Sequence, residues 1–295
     1  MDLLSKFDSV QVTSDGRISE QDKAFCAAHQ TAYDTAKSAL EELKYIWADI
    51  LEQQENALQG TETSATSYIS SSGLDISTDH IEKHLQLLHR LFIFNLVSYF
   101  NETYHVTVSS EEVKNALLPE EPGRYSCSKE DMALYHKQMQ ELSLHSDQIV
   151  EQILARLDGR GLQEQAIYEL KEKCHKAVWS TYSGKAEFVC KKDVITLSYG
   201  CNFESWMSSS HWELTDGMKN VLRGIAHYEI GSFSVLPQTI GTLLQYYRQE
   251  NDRIDFFDCK KVKQLRLFKN RRVDIRFANA SAAREFAENY LGTMC

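Results

Sequence analysis

The spacing of apolar residues in this 295-residue chain changes near Tyr182, and that change constrains the fold more than any other feature. Before this point apolar residues recur every three to four positions, as on one face of an amphipathic helix. After it, Ala186–Cys190 and Val194–Tyr199 have the composition of two short strands. We therefore predict an α+β protein, with an antiparallel helical bundle over residues 1–181 and an α+β domain with antiparallel β-hairpins over residues 182–295.

N-terminal caps define long helices in the first region. Ser19, followed by acidic residues, predicts a helix over about 20–58, and the apolar run that follows predicts a second helix over about 78–104. Ser128, with an acidic residue three positions later, predicts a third helix that continues to about residue 158.

Residues 260–277 are the most basic stretch of the chain. Eight of them are Lys or Arg and one is acidic. Val262–Phe268 and Val273–Phe277 predict two strands, and the three residues Lys269 to Arg271 predict their turn, with Asn270 at positive φ. Because apolar and charged residues alternate in the second strand, the stretch is predicted to be a β-hairpin with one buried face and one positive face.

The segment Gly200–Trp212 is aromatic and rich in serine, and we expect it to be a loop. Trp206 and Trp212 lie within it, next to Phe203. Aromatic rings near basic residues can stack on nucleic-acid bases. Core packing is the alternative use of at least one of these tryptophans.

The net charge of −10 is unevenly distributed along the chain. Residues 1–181 hold 16 Lys and Arg against 29 Asp and Glu, a net of −13, whereas residues 182–295 hold 16 against 13, a net of +3. Such a split indicates regions with different partners, or a solvated acidic region beside an ordinary one.

Composition indicates the general class of the protein. A hydrophobic content of 42% and a charged content of 25% are typical of globular chains. No run of about 18 apolar residues occurs, and the first ten residues lack the basic start of a signal peptide. The seven cysteines are widely spaced, without a CxxC pair, as expected for reduced thiols. We expect a soluble, cytoplasmic protein that does not contact a membrane.

Catalytic motifs are missing from the sequence. An adenine-specific methylase needs an Asp/Asn-Pro-Pro-aromatic motif, and none of the three prolines is adjacent to another. Phosphate-loop, dinucleotide-binding, serine-hydrolase and zinc-protease motifs do not occur either. We therefore expect neither catalysis nor a cofactor, with a metal-dependent nuclease left open.

Two groups of residues have side chains that metals can bind. Three histidines lie on the second predicted helix without the HExxH pattern, so no metal site is predicted there: His80, His84 and His89. Four acidic residues precede the basic stretch: Glu250, Asp252, Asp255 and Asp258. The acidic group would suit the Mg²⁺ of a nuclease, and a solvated turn is the alternative.

The order of several segments resembles one uncharacterised family. These segments are Trp179, the stretch 183–206, the helix Met218–Ile225, and the stretch 266–277 with a closing helix. The family occurs in prophages and integrative elements, near toxin–antitoxin and antirestriction genes, and some members are fused to adenine-specific DNA methylases. The resemblance covers about Ser128–Leu291 and implies an accessory role in a mobile element or phage.

The resemblance is clearest in the basic stretch, where this chain also departs from the family pattern. The run Phe268-Lys269-Asn270 matches the pattern, and Ile275-Arg276-Phe277 stands in for the family's Leu-x-Phe. Arg271 stands where the family usually has Gly, and Asp274 where it usually has His. A role that depends on that His is therefore not implied for this chain.

Two functions from different classes follow from these observations. In the first, the chain is a non-enzymatic protein that binds nucleic acid through a basic β-hairpin. Its candidate binding residues are Lys263, Arg266, Lys269, Arg271, Arg272, Arg276, Trp206 and Trp212. In the second, the chain inhibits a host defence or restriction enzyme, and its acidic helical region imitates the charge of nucleic acid or docks on a basic surface.

Overall fold

The computed structural model of the chain describes residues 17–59, 78–123, 128–179, 185–206, 209–233, 235–246 and 248–292. They form two compact units. The first holds the described residues up to Thr103 together with Thr107–Gly161, and the second holds Tyr104–Val106 and the described residues from Leu162 onward. The protein is α+β, as predicted, because the first unit is helical where described and the second combines helices with antiparallel sheets.

Two of the five helices described in the N-terminal region begin directly after predicted caps, Ser19 and Ser128. They are α1 (Glu20–Leu58), α2 (Thr78–Tyr104), α3 (Ser110–Leu117), α4 (Lys129–Glu141) and α5 (Ser146–Ala155). The hydroxyls of Ser19 and Ser128 accept the amide of the third helical residue, at 3.2 Å and 3.1 Å, and the carboxylates of Asp22 and Asp131 accept the amides of the capping serines in return.

The predicted third helix was wrong in its extent, because it ends at Glu141 and a new helix begins at Ser146. Side chains of α1 explain the break. Gln30 Nε2 donates to Leu144 O at 3.1 Å, Gln30 Oε1 accepts from Ser146 N at 2.7 Å, and Tyr33 Oη accepts from Leu144 N at 3.4 Å. These bonds satisfy backbone groups that an unbroken helix would pair internally. The partners are more than a hundred residues apart, so local periodicity does not show them.

A buried chain of hydrogen bonds connects α1, α2 and α4. Tyr33 Oη bonds to His89 Nδ1 at 2.8 Å, and His89 Nε2 donates to Met139 O at 2.9 Å. Since a carbonyl oxygen only accepts, Nε2 carries a proton, and donation of the Tyr33 hydroxyl proton to Nδ1 leaves the imidazole neutral. Burial lowers the pKa of His89 in agreement with this assignment. His89 is thus a core residue of the first unit.

The second unit contains four α-helices within its described residues, of which the last continues as a π-helical turn over Ala287–Leu291. The helices are α6 (Leu162–Val178), α7 (Asp216–Ile230), α8 (Gln238–Gln245) and α9 (Ala280–Phe286). The strands are β1 (Phe188–Lys191), β2 (Val194–Leu197), β3 (Cys201–Trp206), β4 (Ser209–Leu214), β5 (Arg253–Asp255), β6 (Val262–Leu267) and β7 (Val273–Phe277). None of the described helices in either unit combines the length and apolar composition needed to span a membrane.

The predicted basic hairpin is confirmed and lies inside a larger sheet. Five strands pair in the order β1-β2-β7-β6-β5, all antiparallel, while β3 and β4 form a separate ribbon. In the hairpin Leu265 lies opposite Ile275, and Leu267 lies opposite Val273. On its other edge β7 pairs with β2, where Ile195 lies opposite Ile275. This register aligns the apolar residues of neighbouring strands on one inner face.

Phe277 connects the inner face of the sheet to the helices that cover it. Its ring centroid lies 5.5 Å from that of Phe286 on α9 and 6.5 Å from that of Tyr228 on α7. All three residues are buried, as are Val273 and Ile275. The sheet therefore packs one face against helices and leaves its outer face to polar side chains.

Helix α6 packs against α7 within the second unit. Cys174 Sγ donates to Asn220 O at 3.2 Å, and a Cβ built on Gly224 would lie only 2.5 Å from Cys174 Sγ. The glycine therefore permits the close approach of the two helices.

The two units divide between Gly161 and Leu162. The boundary predicted from the apolar spacing was 181/182, because the helical period continues through α6 as far as Val178.

The loop predicted over Gly200–Trp212 was wrong, because most of these residues belong to the β3–β4 ribbon. Phe203 lies opposite Trp212, with ring centroids 4.8 Å apart. Gly200 N donates to Arg271 O at 2.9 Å, which ties the start of the ribbon to the turn of the basic hairpin. The ribbon lacks a regular alternation of apolar residues, and it is held by the cross-strand aromatic pair and by this tertiary bond.

Candidate nucleic-acid interface

The outer face of the five-stranded sheet is charged. Four basic side chains point outward from four of its strands and a fifth directly precedes β7, and we call them the basic face: Lys191, Arg253, Arg266, Arg276 and Arg272. Two carboxylates of the strands share this side of the sheet, those of Asp255 and Asp274. The predicted alternation is confirmed, since the residues between these positions on β7 are buried.

The register of the strands spreads these cations over the sheet. Arg266 lies opposite Arg253 on β5 and opposite Asp274 on β7. Residues that face each other on antiparallel strands are about 5 Å apart. Arg272 and Arg276 are four positions apart along β7, so their backbones are about 13 Å apart. The basic face is therefore an extended surface and not a single anion-binding point.

Three of the arginines pair with nearby carboxylates through Nε. The distances are 3.5 Å for Arg253 and Asp255, 3.3 Å for Arg272 and Asp274, and 3.7 Å for Arg276 and Asp193. Ion pairs on a solvated surface contribute only about 0–1 kcal/mol. Phosphate oxygens can replace these carboxylates at small cost, so the pairs orient the guanidinium groups without blocking them.

The turn of the hairpin, which we call the hairpin tip (Phe268–Arg272), stacks cations on an aromatic ring. The Phe268 ring centroid lies 3.8 Å from Arg272 Cζ and 5.0 Å from Arg266 Cζ. Arg271, not Asn270, adopts positive φ, at 71°, so that part of the turn prediction was wrong. Asn270 stabilises the turn through its side chain instead, because its Oδ1 accepts from Arg272 N at 3.4 Å.

The β3–β4 ribbon places predicted aromatic residues beside the hairpin tip. Lys269 Nζ lies 4.6 Å from the ring centroid of Phe203, which in turn packs on Trp212. Trp212 is partly buried, and its Nε1 is buried without an acceptor among the described residues. Trp212 therefore packs between the core and the ring of Phe203, and Lys269 contacts the ring of Phe203. Trp206 ends β3, and its side chain lies outside the described residues.

Lys263 lies far from the hairpin tip, on the stretch of β6 that pairs with Arg276 and Phe277. The register shift between Val262 and Gln264 makes Lys263 the extra residue of a β-bulge. Its Nζ donates to Cys259 O at 3.1 Å. Since Lys269 is six residues further along the strand and turn, Lys263 lies about 20 Å from the hairpin tip. Of the predicted basic residues, Arg266, Lys269, Arg271 and Arg272 lie at or next to the hairpin tip, whereas Lys263 and Arg276 lie toward the other end of the hairpin.

The acidic residues before the hairpin do not converge on one point. Asp255 accepts from Gln264 Nε2 at 2.6 Å, and this bond lowers the pKa of Asp255. Asp258 accepts instead from Thr239, at 3.0 Å from the backbone N and 2.7 Å from Oγ1. Across the described ranges, no three His, Cys, Asp or Glu side chains are grouped as a metal ion would require.

Sequence reasoning missed two members of the basic face, Lys191 and Arg253. They lie on strands that reach the hairpin only through the pairing of β2 with β7 and of β5 with β6. The sequence did contain one signal for Lys191, because the charged turn Lys191-Lys192-Asp193 was visible in it. Asp193 of this turn pairs with Arg276 in the structure. Its partner could not be identified before the strand order was known.

Comparison of the chain with protein-family models, with curated proteins and with solved structures finds no match. The function must therefore be inferred from the chemistry and geometry of the surface itself.

Proposed function

We propose that this chain is a non-enzymatic, cytoplasmic accessory protein of a mobile element or phage that binds nucleic acid. The basic face and the hairpin tip hold the phosphates, and Phe203 and Phe268 present ring edges to the bases. The mobile-element role rests on the resemblance of residues 128–291 described above. The nucleic-acid role rests on the surface itself.

One observation carries this proposal: a five-stranded sheet with a buried apolar side exposes arginines from three neighbouring strands, β5, β6 and β7, on its other side. Lysine and arginine contacts to phosphates supply most of the affinity of sequence-independent binding. Arginine also places several donors in one plane, which suits phosphate oxygens. A chain with a net charge of −10 that concentrates cations in this way has a local surface suited to a polyanion.

Salt dependence of binding tests the proposal. Labelled single-stranded and duplex DNA and RNA are titrated with the full chain in fluorescence anisotropy at about 50 mM and about 200 mM salt. The double variant Arg272→Ala/Arg276→Ala is expected to bind more weakly and to lower the slope of log affinity against log salt by about two units, one for each lost contact. Thermal stability should stay within about half a kcal/mol of the parent.

A matched double variant controls for net charge. Arg223 on α7 and Arg284 on α9 are exposed arginines of the same unit that lie outside the basic face. Arg223→Ala/Arg284→Ala changes the net charge equally and should leave the affinity nearly unchanged. If both double variants weaken binding equally, or if the parent does not bind, the proposed interface is wrong.

Removal of a carboxylate from the basic face should act in the opposite direction. Asp274 accepts from Thr196 Oγ1 at 2.9 Å and lies beside Arg272, in the middle of the proposed phosphate path. Asp274→Asn keeps the size of the side chain and removes a charge that repels phosphate. We expect tighter binding at low salt, whereas a carboxylate outside the path would have little effect.

A second candidate function is inhibition of a host defence or restriction enzyme by the acidic helical region. The observation in its favour is the C-terminal half of α1, where five acidic side chains are exposed: Glu41, Glu42, Asp49, Glu52 and Glu55. A surface of this kind fits a basic protein. Addition of the full chain to a purified restriction nuclease tests it, with a variant in which the five acids are changed to their amides as the control. Inhibition that persists in that variant would remove the candidate.

A further inference from the structure

An aromatic side chain at the end of the hairpin opposite the tip is almost fully exposed. Phe257 in the turn between β5 and β6 is 92% exposed, whereas its neighbour Phe256 is 2% exposed and belongs to the core. Phe256 therefore anchors the turn to the core, and the ring of Phe257 does not take part in this packing. Burial of this ring by a partner would therefore be favourable.

Hydrogen bonds on both sides hold this turn in place. The Asp258 carboxylate accepts from Thr239 at the start of α8. The Glu229 carboxylate at the end of α7 accepts from the backbone amides of Lys260, Lys261 and Val262. Phe257 is therefore presented by a turn that is fixed to two helices, and its exposure is not that of a free chain end.

These bonds bring further exposed apolar residues to the same edge of the unit. Ile230 follows Glu229 at the end of α7, and Val235 and Leu236 lie shortly before Thr239. All three are between 43% and 61% exposed. Together with Phe257 they form what we call the Phe257 patch: Ile230, Val235, Leu236 and Phe257. Exposed apolar residues gathered at one edge of a unit are typical of interaction sites.

The free charge beside the Phe257 patch is positive. Lys260 and Lys263 are exposed, and no carboxylate among the described residues forms an ion pair with either. The two carboxylates nearby, those of Glu229 and Asp258, accept hydrogen bonds from the unit itself and keep their charge. The three lysines of the turn, Lys260, Lys261 and Lys263, therefore leave a net charge of about +1. A ligand that covers the patch therefore meets apolar side chains and ammonium groups.

From this combination we propose that the Phe257 patch docks an acidic, amphipathic helix of a partner protein. Apolar residues of such a helix recur at three-to-four spacing and pack around the Phe257 ring, while its Glu and Asp residues face Lys260 and Lys263. Nucleic acid fits less well, since bases stack on aromatic rings and three of the four side chains of the patch are aliphatic. An anionic membrane surface attracts clusters of four to eight basic residues, and here two are available.

The patch lies at the opposite end of the hairpin from the tip, and its apolar side chains differ in chemistry from the arginines of the basic face. It lies at the β5–β6 turn. The length of β6, about 20 Å, separates this turn from the hairpin tip. The two surfaces can therefore be tested separately.

A designed peptide pair tests the proposal with the full chain. The probe is a labelled, helical Leu/Glu peptide with an apolar stripe, and its control is the same peptide with every Glu changed to Lys. Fluorescence anisotropy is expected to show binding of the acidic peptide, at least tenfold weaker binding for Phe257→Ser and for Lys260→Glu, and no binding of the lysine peptide. Tyr199→Ser is the matched control, because Tyr199 is 61% exposed and lies beside the hairpin tip.

Each other outcome contradicts the proposal. Equal affinity for both peptides, or binding unaffected by Phe257→Ser, would show that the patch does not recognise an acidic helix. Concentration-dependent self-association in sedimentation, lost in Phe257→Ser, would assign the patch to a second copy of the chain. Stronger binding to phosphatidylserine vesicles than to the peptide would assign it to a lipid surface. Unchanged melting of the serine variant shows that the comparison is made on folded protein.

Discussion

His89 in the first unit and His227 in the second are both buried, and each is hydrogen-bonded to a tyrosine. His89 uses both ring nitrogens, with Tyr33 on one and the Met139 carbonyl on the other, so it connects three helices. His227 bonds through Nδ1 to Tyr290 at 2.7 Å, inside a unit whose core is otherwise built on a sheet. In the first unit, side-chain hydrogen bonds from Gln30 and Tyr33 fix the break between α4 and α5. In the second unit, the alternation of apolar and charged residues along β7 determines which side chains are buried and which are exposed.

This difference predicts that core substitutions in the sheet are the most damaging. Phe277→Ala removes a ring that is 1% exposed and packs on Phe286 and Tyr228, so we expect a loss of about 3–5 kcal/mol in the free energy of unfolding. Urea titration followed by circular dichroism measures it. Phe257→Ala removes the same ring from a position that is 92% exposed and should cost less than about 0.5 kcal/mol. Similar losses in the two variants would show that the inner face is not packed as described.

Polar substitutions in the first unit should have a smaller but definite effect. Tyr33→Phe leaves His89 Nδ1 and the Leu144 amide without their buried partner, at a cost of about 1–3 kcal/mol. Tyr45→Phe, at a position that is 76% exposed on the same helix, should change the free energy of unfolding by less than about 0.5 kcal/mol. Equal effects would mean that the hydrogen-bond chain does not contribute to stability.

The two histidines also predict a dependence of stability on pH. Burial lowers the pKa of His89 and of His227 from the ordinary value of 6.5, so below that pH the unfolded chain binds protons that the folded chain does not. The free energy of unfolding should therefore be constant with respect to these groups above pH 6.5. Below it, stability should fall by up to about 1.4 kcal/mol per pH unit for each histidine, until the lowered pKa is reached.

Unfolding of a His89→Gln variant across this pH range isolates one of the two contributions. The slope of stability against pH should decrease in that variant. It should be retained in His84→Gln, because His84 is exposed on the same helix. A slope that is the same in the parent and in His89→Gln would contradict the assignment of His89 as a neutral core group.

The smallest predicted effect concerns the hairpin tip and separates stability from binding. Arg271 has φ of 71°, a left-handed conformation that costs a side-chain-bearing residue roughly 1–2 kcal/mol and glycine little. Arg271→Gly is expected to raise the free energy of unfolding by up to about 1 kcal/mol and to weaken nucleic-acid binding, since a cation is lost. Asn270→Gly should not stabilise, because it removes the bond from Arg272 N to Asn270 Oδ1. A destabilised Arg271→Gly variant would contradict the strain described for this turn.

Local patterns were sufficient where each partner lies within a few residues. The caps at Ser19 and Ser128 bond to residues three positions away, and the alternation in Val273–Phe277 follows from the pleat of a single strand. The starts of α1 and α4, the basic hairpin and its charged outer face were therefore predicted correctly. The identity of the residue with positive φ was not, because either Asn270 or Arg271 can occupy that position of a short turn.

The amino-acid sequence alone thus determined the periodicity of this protein, the caps of its helices and the positive face of one hairpin. The tertiary structure decided which strands flank that hairpin, and so added Lys191 and Arg253 to the basic face. It also broke a predicted helix through Gln30 and converted a predicted loop into a ribbon through the Phe203–Trp212 pair. The physical reason is the same in each case. These contacts join residues that are far apart in the chain or unpatterned locally, so their energy appears only when the chain is folded.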